Sequence, residues 1–261
     1  MSNAPTGLAL RTQKRYGWRP DSPDMRDYLL AVAPAKQIPA AISLRTQMPA
    51  VYDQGQLGSC TANSIGAILE FNQMKQQEPD CATPSRLFIY YNERAMEGTI
   101  DHDSGAEIRD GIKSVAQVGA PPEDLWPYEI NKFARKPPAT AYRSARKHQA
   151  IRYARVPQAT IAIQNVLADG YPISFGFTVY ESFESDVGAD GIVPMPGPDE
   201  KTLGGHAVVA VGYRTIKGQL YIECRNSWGT DWADQGYFWI PDNYITSTNL
   251  ARDFWVIEQV E

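Results

Sequence analysis

Residues 54–72 read Gln54-Gly55-Gln56-Leu57-Gly58-Ser59-Cys60-Thr61-Ala62-Asn63-Ser64-Ile65-Gly66-Ala67-Ile68-Leu69-Glu70-Phe71-Asn72. A glycine-punctuated turn runs here into a helical pattern. Ile65, Ile68, Leu69 and Asn72 recur at helical spacing, Ala62, Ala67 and Glu70 support it, and Pro79 stands beyond. The spacing predicts a helix from Ser59 to Lys75, with Cys60 in its first turn. A thiol there gains from the positive end of the helix dipole, which favours thiolate, and from unpaired N–H groups aimed at whatever the sulfur attacks. Gln54 adds a side-chain amide donor, and the glycines let another backbone approach. The same position also suits a buried cysteine that merely opens a core helix, where most free cysteines are found.

Further helices are predicted at 84–94, capped by Ser85 or Thr83, and at 106–118, ended by Gly119. Residues 137–149 are polar and basic and read as a surface excursion. Beyond about residue 150 the pattern changes to strands: 171–179, 207–213, 219–225, 236–240 and 254–260. A helical half followed by a β-rich half is an α+β arrangement. Residues 1–41 read as an extended, proline-rich arm over the body, because Tyr16, Trp18 and Tyr28 are costly to leave in water.

Composition narrows the function. The chain has 261 residues, enough for one large domain or two joined lobes. A net charge of −5 without a long basic cluster argues against nucleic acid as main partner. No apolar run approaches the ~20 residues that span a bilayer. Three cysteines, Cys60, Cys81 and Cys224, form neither a disulfide framework nor a CxxC pair, so no metal is expected. Three histidines limit any imidazole chemistry to His102, His148 or His206.

His206 follows Gly204-Gly205 at the opening of the predicted strand, which places it partly exposed at a sheet end. Asn226 leads Ser227-Trp228-Gly229 after another strand. Alone, each is a satisfied histidine or a plain turn. In the order Cys60, His206, Asn226 they form a nucleophile, a base and a group that fixes the imidazole tautomer, with Trp228 to shield that bond from water.

These residues resemble the motifs of the papain (C1-type) cysteine peptidases. Gln54-Gly55-x-x-Gly58-Ser59-Cys60 resembles the family's nucleophile motif, and His206 to Tyr213 its histidine strand. Asn226-Ser227-Trp228-Gly229-Thr230-x-Trp232 resembles its asparagine motif, and Val115 to Tyr128 its left-lobe helix and turn. The likeness covers about residues 48–258, and Cys60 and His206 stand 146 positions apart, within the ~130–150 typical of that family. It implies a papain-like two-lobe fold, with a helical lobe at about 50–151, a β-barrel-like lobe at about 152–258 and the active-site cleft between. The peptidase domain as a whole would span 42–261.

The resemblance further implies Cys60 as nucleophile, His206 as base, Asn226 as orienter, and Gln54 with the Cys60 N–H as oxyanion hole. Gly105 and Ala106 would pair with a substrate strand. Ala106, Ile108, Gly204 and Gly205 would wall its main side-chain pocket, and Trp228 would cover the His206–Asn226 bond. The reaction implied is hydrolysis of a peptide or protein substrate through a thioester acyl-enzyme, without a cofactor. Rival readings are a non-catalytic binding protein on this fold and a Cys-His-Asn amidase or transferase.

The chain departs from the family at Thr61, where an aromatic residue is usual, and at Leu57, where a cysteine is usual. Cys81 and Cys224 then read as reduced structural thiols. The short arm, with Gly17-Trp18-x-Pro20-Asp21-x-Pro23-Asp24-x-Arg26-Asp27-Tyr28, resembles that of bacterial members with short pro-segments. It is expected either as an intramolecular inhibitor at the cleft or as a strap far from it. No apolar run of signal-peptide length opens the sequence, which leaves the compartment undetermined between cytoplasm and another export route. A monomer is the expected state.

Overall fold

The computed structural model describes residues 16–31 and 38–261. The parts of the expected arm at 1–15 and 32–37 lie outside the described residues. In chain order the elements begin with β1 (Trp18–Arg19), β2 (Ile42–Ser43), α1 (Cys60–Gln76), α2 (Arg86–Glu97), β3 (Ala106–Glu107) and α3 (Ile108–Gln117). They continue with α4 (Ala139–Ala145), β4 (Ala150–Arg155), α5 (Thr160–Ala168), β5 (Ile173–Tyr180), α6 (Glu181–Ser185), β6 (Thr202–Ile216), β7 (Gln219–Arg225), β8 (Tyr237–Pro241), α7 (Asp242–Ile245) and β9 (Ala251–Val260).

Helix α1 is buried nearly all round, which explains why its sequence lacks a clean polar face. It lies between α2 and α3 on one side and strands β6 and β9 on the other. Its start is stabilised through Asn63, whose Nδ2 donates to the Ser59 carbonyl at 2.9 Å, while Ser59 itself makes no side-chain cap. On α2, Ser85 is the cap: its Oγ accepts from the Phe88 N–H at 3.2 Å and donates to the Trp126 carbonyl at 2.6 Å. Helix α3 starts two residues later than its pattern predicts, because Ala106 and Glu107 pair as strand β3 with β1 of the arm.

The large sheet runs β4-β9-β5-β6-β7-β8, antiparallel throughout, with β2 added on β6. Among the described residues its ends, β4 and β8, do not pair. The barrel-like part is therefore an open sheet and no closed barrel. One apolar cluster fills the space between α1 and the sheet, around Ile65, Ile68, Val209, Val211 and Ile257. A second covers the other face with α5 and α7, around Ile163, Leu167, Phe175, Phe238 and Tyr244.

Several expectations change. Residues 137–149 hold helix α4, which buries Ala141 and Ala145 at i,i+4 and leaves its basic residues outside. Helix α5 adds an element outside those predicted from the pattern, with Ile163, Val166 and Leu167 buried at helical spacing. Strand β6 opens at Thr202, so His206 lies inside the strand rather than at its start. Cys224 is buried on β7, but Cys81 is exposed and packs in no core. Tyr16 and Trp18 dock as expected, whereas Tyr28 remains 70% exposed against the Tyr153 ring.

Candidate active site

Cys60 opens α1 facing β6 and is fully buried. Burial pushes its thiol up to about 11, against the N–H groups of Ala207 and Gly17, which hydrogen-bond it and pull the other way. Desolvation of the covered sulfur thus opposes the pull of the helix terminus and of these N–H groups. Ala207 follows His206 on β6, so the strand of His206 and the helix of Cys60 meet here.

His206 is also fully buried, not half-exposed at a sheet end. Its Nε2 is 2.8 Å from Asn226 Oδ1, and that oxygen also accepts from the Ser227 N–H at 2.8 Å. The two bonds fix the amide and leave Nδ1 as the ring nitrogen not engaged by Asn226. Trp228 stacks on the imidazole with centroids 4.8 Å apart and planes at 26°. Phe177 meets it edge-on at 5.9 Å and Tyr16 at 6.1 Å, so the ring sits in an aromatic cage.

Gln54 is buried beside Asn226. Its N–H donates to the Ser227 carbonyl at 2.8 Å, its Oε1 accepts from Ser227 Oγ at 2.6 Å, and its Nε2 donates to the Leu57 carbonyl at 2.9 Å. The next turn is held by Asp103, which accepts from the Gly58 N–H at 3.0 Å and the Tyr90 hydroxyl at 2.5 Å.

The backbone at Gly105 and Ala106 is paired with the chain's own arm. The Ala106 N–H donates to the Gly17 carbonyl at 2.7 Å, and β1 runs parallel to β3 with Trp18 opposite Ala106. Gly105 has φ 68°, and a Cβ there would lie 2.0 Å from the Gly17 oxygen, so only glycine fits. Gly17 itself approaches the Gly58 carbonyl so closely that a Cβ would meet it at 1.7 Å. The Trp18 ring lies against Gly176 of β5 and Gly205 of β6, where added Cβ atoms would stand 1.9 and 2.7 Å from it. Tyr16 covers Gly204. Ile108 is fully buried in the apolar cluster that also holds Trp18.

The arm's next residues are clamped by charge. Arg109 pairs with Asp27 at 2.6 Å, both nearly buried, and its N–H donates to Asp21 at 3.0 Å. Arg155 reaches Asp253 at 2.7 Å and Asp27 at 3.2 Å, and Trp255 Nε1 donates to Asp21 at 2.8 Å. Composition points to these charges, but only the fold brings α3, β4 and β9 to one arm.

One acidic group behind the site has no signature in the sequence. Glu93 on α2 is fully buried; its Oε2 accepts from Thr61 Oγ1 at 2.9 Å, and its Oε1 has no hydrogen-bond partner among the described residues. The neighbouring Arg94 donates elsewhere, to the carbonyls of Ile100, His102 and Phe133. Burial pushes the Glu93 carboxyl well above the usual 4.5, and the nearby Glu97 and Asp110 add to it. The fold thus keeps a proton that the unfolded chain releases above its ordinary carboxyl pKa. Stability falls as pH rises past that value and levels off once the folded group ionises. Glu93→Gln has no proton to lose. Urea unfolding from about pH 5 to 8 should show it gaining on the wild type by up to about 1.4 kcal/mol per pH unit. A difference that stays constant over that range would show an ionised Glu93.

Among the described residues no helix is long and apolar enough to cross a membrane, and no group of three or more His, Cys, Asp or Glu is placed to hold a metal.

Residues 38–256 match the papain family cysteine protease domain. The chain is 41% identical to an uncharacterized peptidase C1-like protein of Acanthamoeba polyphaga mimivirus, over 95% of this chain and 88% of that one. The crystal structure of xylellain, a cysteine protease from Xylella fastidiosa, matches with a TM-score of 0.86 at 38% identity, covering 98% of this chain and all (100%) of that one. A procathepsin B from Trypanosoma congolense, 16% identical, shares the fold with a TM-score of 0.76 over 97% of this chain and 87% of that one.

Proposed function

We propose, from the premise that this chain belongs to the papain family of cysteine proteases, that it hydrolyses peptide bonds with Cys60 as nucleophile, His206 as base and Asn226 as orienter. One observation carries this reading: the buried His206 Nε2–Asn226 Oδ1 bond lies under Trp228, on the strand that packs against a cysteine at a helix start. The reading keeps two lobes, at about 50–151 and 152–258, with the proposed cleft between α1 and β6.

In the proposed cycle, His206 Nδ1 takes the Cys60 proton and the sulfur attacks the substrate carbonyl carbon. The Cys60 N–H and the Gln54 Nε2 amide donate to the oxyanion. The imidazolium protonates the leaving amine as the C–N bond breaks, leaving a thioester on Cys60. His206 then takes a proton from water, whose oxygen attacks the thioester and releases the acid. Asn226 holds the ring through both steps, and Trp228 keeps water from that bond. Gly105 and Ala106 would pair with the substrate backbone, and Ala106, Ile108, Gly204 and Gly205 would bound its side-chain pocket.

The described arm, residues 16–31, is proposed as an intramolecular inhibitor. Supporting this, Gly17 and Trp18 lie on the groove and glycines that substrate would need, and the Gly17 N–H lies on the Cys60 sulfur.

Labelling of the Trp18→Ala variant, whose arm is opened, at neutral pH with an epoxysuccinyl probe, followed by peptide mapping, tests the nucleophile. The label is expected at Cys60 alone and hydrolysis of a dipeptidyl fluorogenic substrate should fall in step, whereas iodoacetamide should also reach the exposed Cys81. Hydrolysis that persists in fully labelled protein would refute the assignment.

A further inference from the structure

Two pieces of backbone supply the proposed oxyanion donors: the turn at Gln54 and the start of α1 at Cys60. A single hydroxyl joins them. Tyr128 donates to the Gln54 carbonyl at 3.0 Å and meets Ser59 Oγ at 2.5 Å. The Tyr128 hydrogen goes to the Gln54 carbonyl, so in the Ser59–Tyr128 bond Ser59 Oγ is the donor, while it accepts from Asn63 Nδ2 at 3.0 Å. Asn63 Oδ1 accepts from Arg86 Nη1 at 3.1 Å. Arg86 in turn is fixed by Glu123, through Nε at 2.8 Å and Nη2 at 2.7 Å, and stacks over the Tyr128 ring at 4.2 Å.

Every bond in this chain points the same way, from Arg86 through Asn63, Ser59 and Tyr128 to the Gln54 carbonyl. Aligned donors polarise one another, and a partly buried network of this kind is stiffer than its separate bonds. An oxyanion hole gains its effect from donors held in place before charge develops. We infer that Tyr128 is a positioning residue, whose hydroxyl holds the Gln54 turn and the Cys60 helix start in register so that their two donors converge on one oxygen. The inference rests on the peptidase reading above. Tyr128 acts through its bonds to Gln54 and Ser59.

Tyr128→Phe in the full chain keeps the ring over Arg86 and removes only the hydroxyl. Its kcat for a peptide amide should fall about 10- to 100-fold with KM within about twofold. Affinity for a peptide aldehyde, which Cys60 converts to a hemithioacetal whose oxygen fills the same hole, should weaken by a similar factor. Alkylation of Cys60 by iodoacetamide needs the thiolate but no oxyanion donor, so its rate and pH profile should match wild type. Ser59→Ala, which deletes the preceding hydroxyl, should show the same pattern more weakly and serves if the phenylalanine variant folds poorly.

An unchanged kcat and aldehyde affinity would overturn the inference. So would alkylation that slows in proportion to kcat, the mark of a merely structural role. A Trp18→Ala chain, its arm opened, whose Cys60 neither reacts with the probes nor supports turnover would instead overturn the peptidase reading, and this inference with it.

Discussion

Replacing Cys60 with alanine is expected to lower peptide hydrolysis by at least about ten-thousand-fold while leaving the fold intact. Loss of the proposed nucleophile removes the covalent route, and a hole and base without it retain only a small residue of catalysis. Folding should survive. Alanine is the best helix former, Cys60 opens α1 rather than linking elements through a disulfide, and deleting one buried sulfur costs on the order of 1 kcal/mol. Thermal unfolding alongside fluorogenic turnover separates the two effects. Turnover above about a hundredth of wild type in the alanine variant would sink the thioester mechanism.

Trp18→Ala is expected to raise turnover of a small fluorogenic substrate by roughly 10- to 100-fold, because it should shift the arm from docked to open. The ring is 7% exposed and seated against Gly176 and Gly205. Truncating such a tryptophan removes about 3–5 kcal/mol of packing, enough to move a docking equilibrium by a factor of hundreds. The gain is capped because the ion pairs of Asp27 with Arg109 and Arg155 still hold the next turn of the arm. Opening also lifts the desolvation that pushes the Cys60 thiol up, so iodoacetamide should modify Cys60 faster in the variant. Unchanged turnover and unchanged Cys60 alkylation would show that the arm is a strap and no inhibitor.

The candidate site was legible where chemistry depends on residue type and order. A cysteine at a helix start, a histidine entering an apolar run and an Asn-Ser-Trp-Gly turn are local patterns, and they fall at the start of α1, within β6 and directly after β7. Residues whose roles come from distant partners were not legible. Tyr128 stands 74 positions from Gln54 and Glu93 32 positions from Thr61, with no local periodicity to mark either pair. Helix α4 hid for another reason: small alanines bury a face without the apolar run that signals one.

The sequence by itself determined the α+β class, the helix of Cys60, the strands of His206 and Cys224 and the residue types available for catalysis. Those rest on periodicity and turn chemistry, which act over a few residues. Tertiary structure alone decided that the arm pairs with Gly105 and Ala106, that His206 and Cys60 are both wholly buried, and that burial pushes the Cys60 thiol up. Those follow from desolvation and from main-chain pairing of Gly17 with Ala106, 89 positions away, and free energies of that kind exist only once the chain has closed on itself.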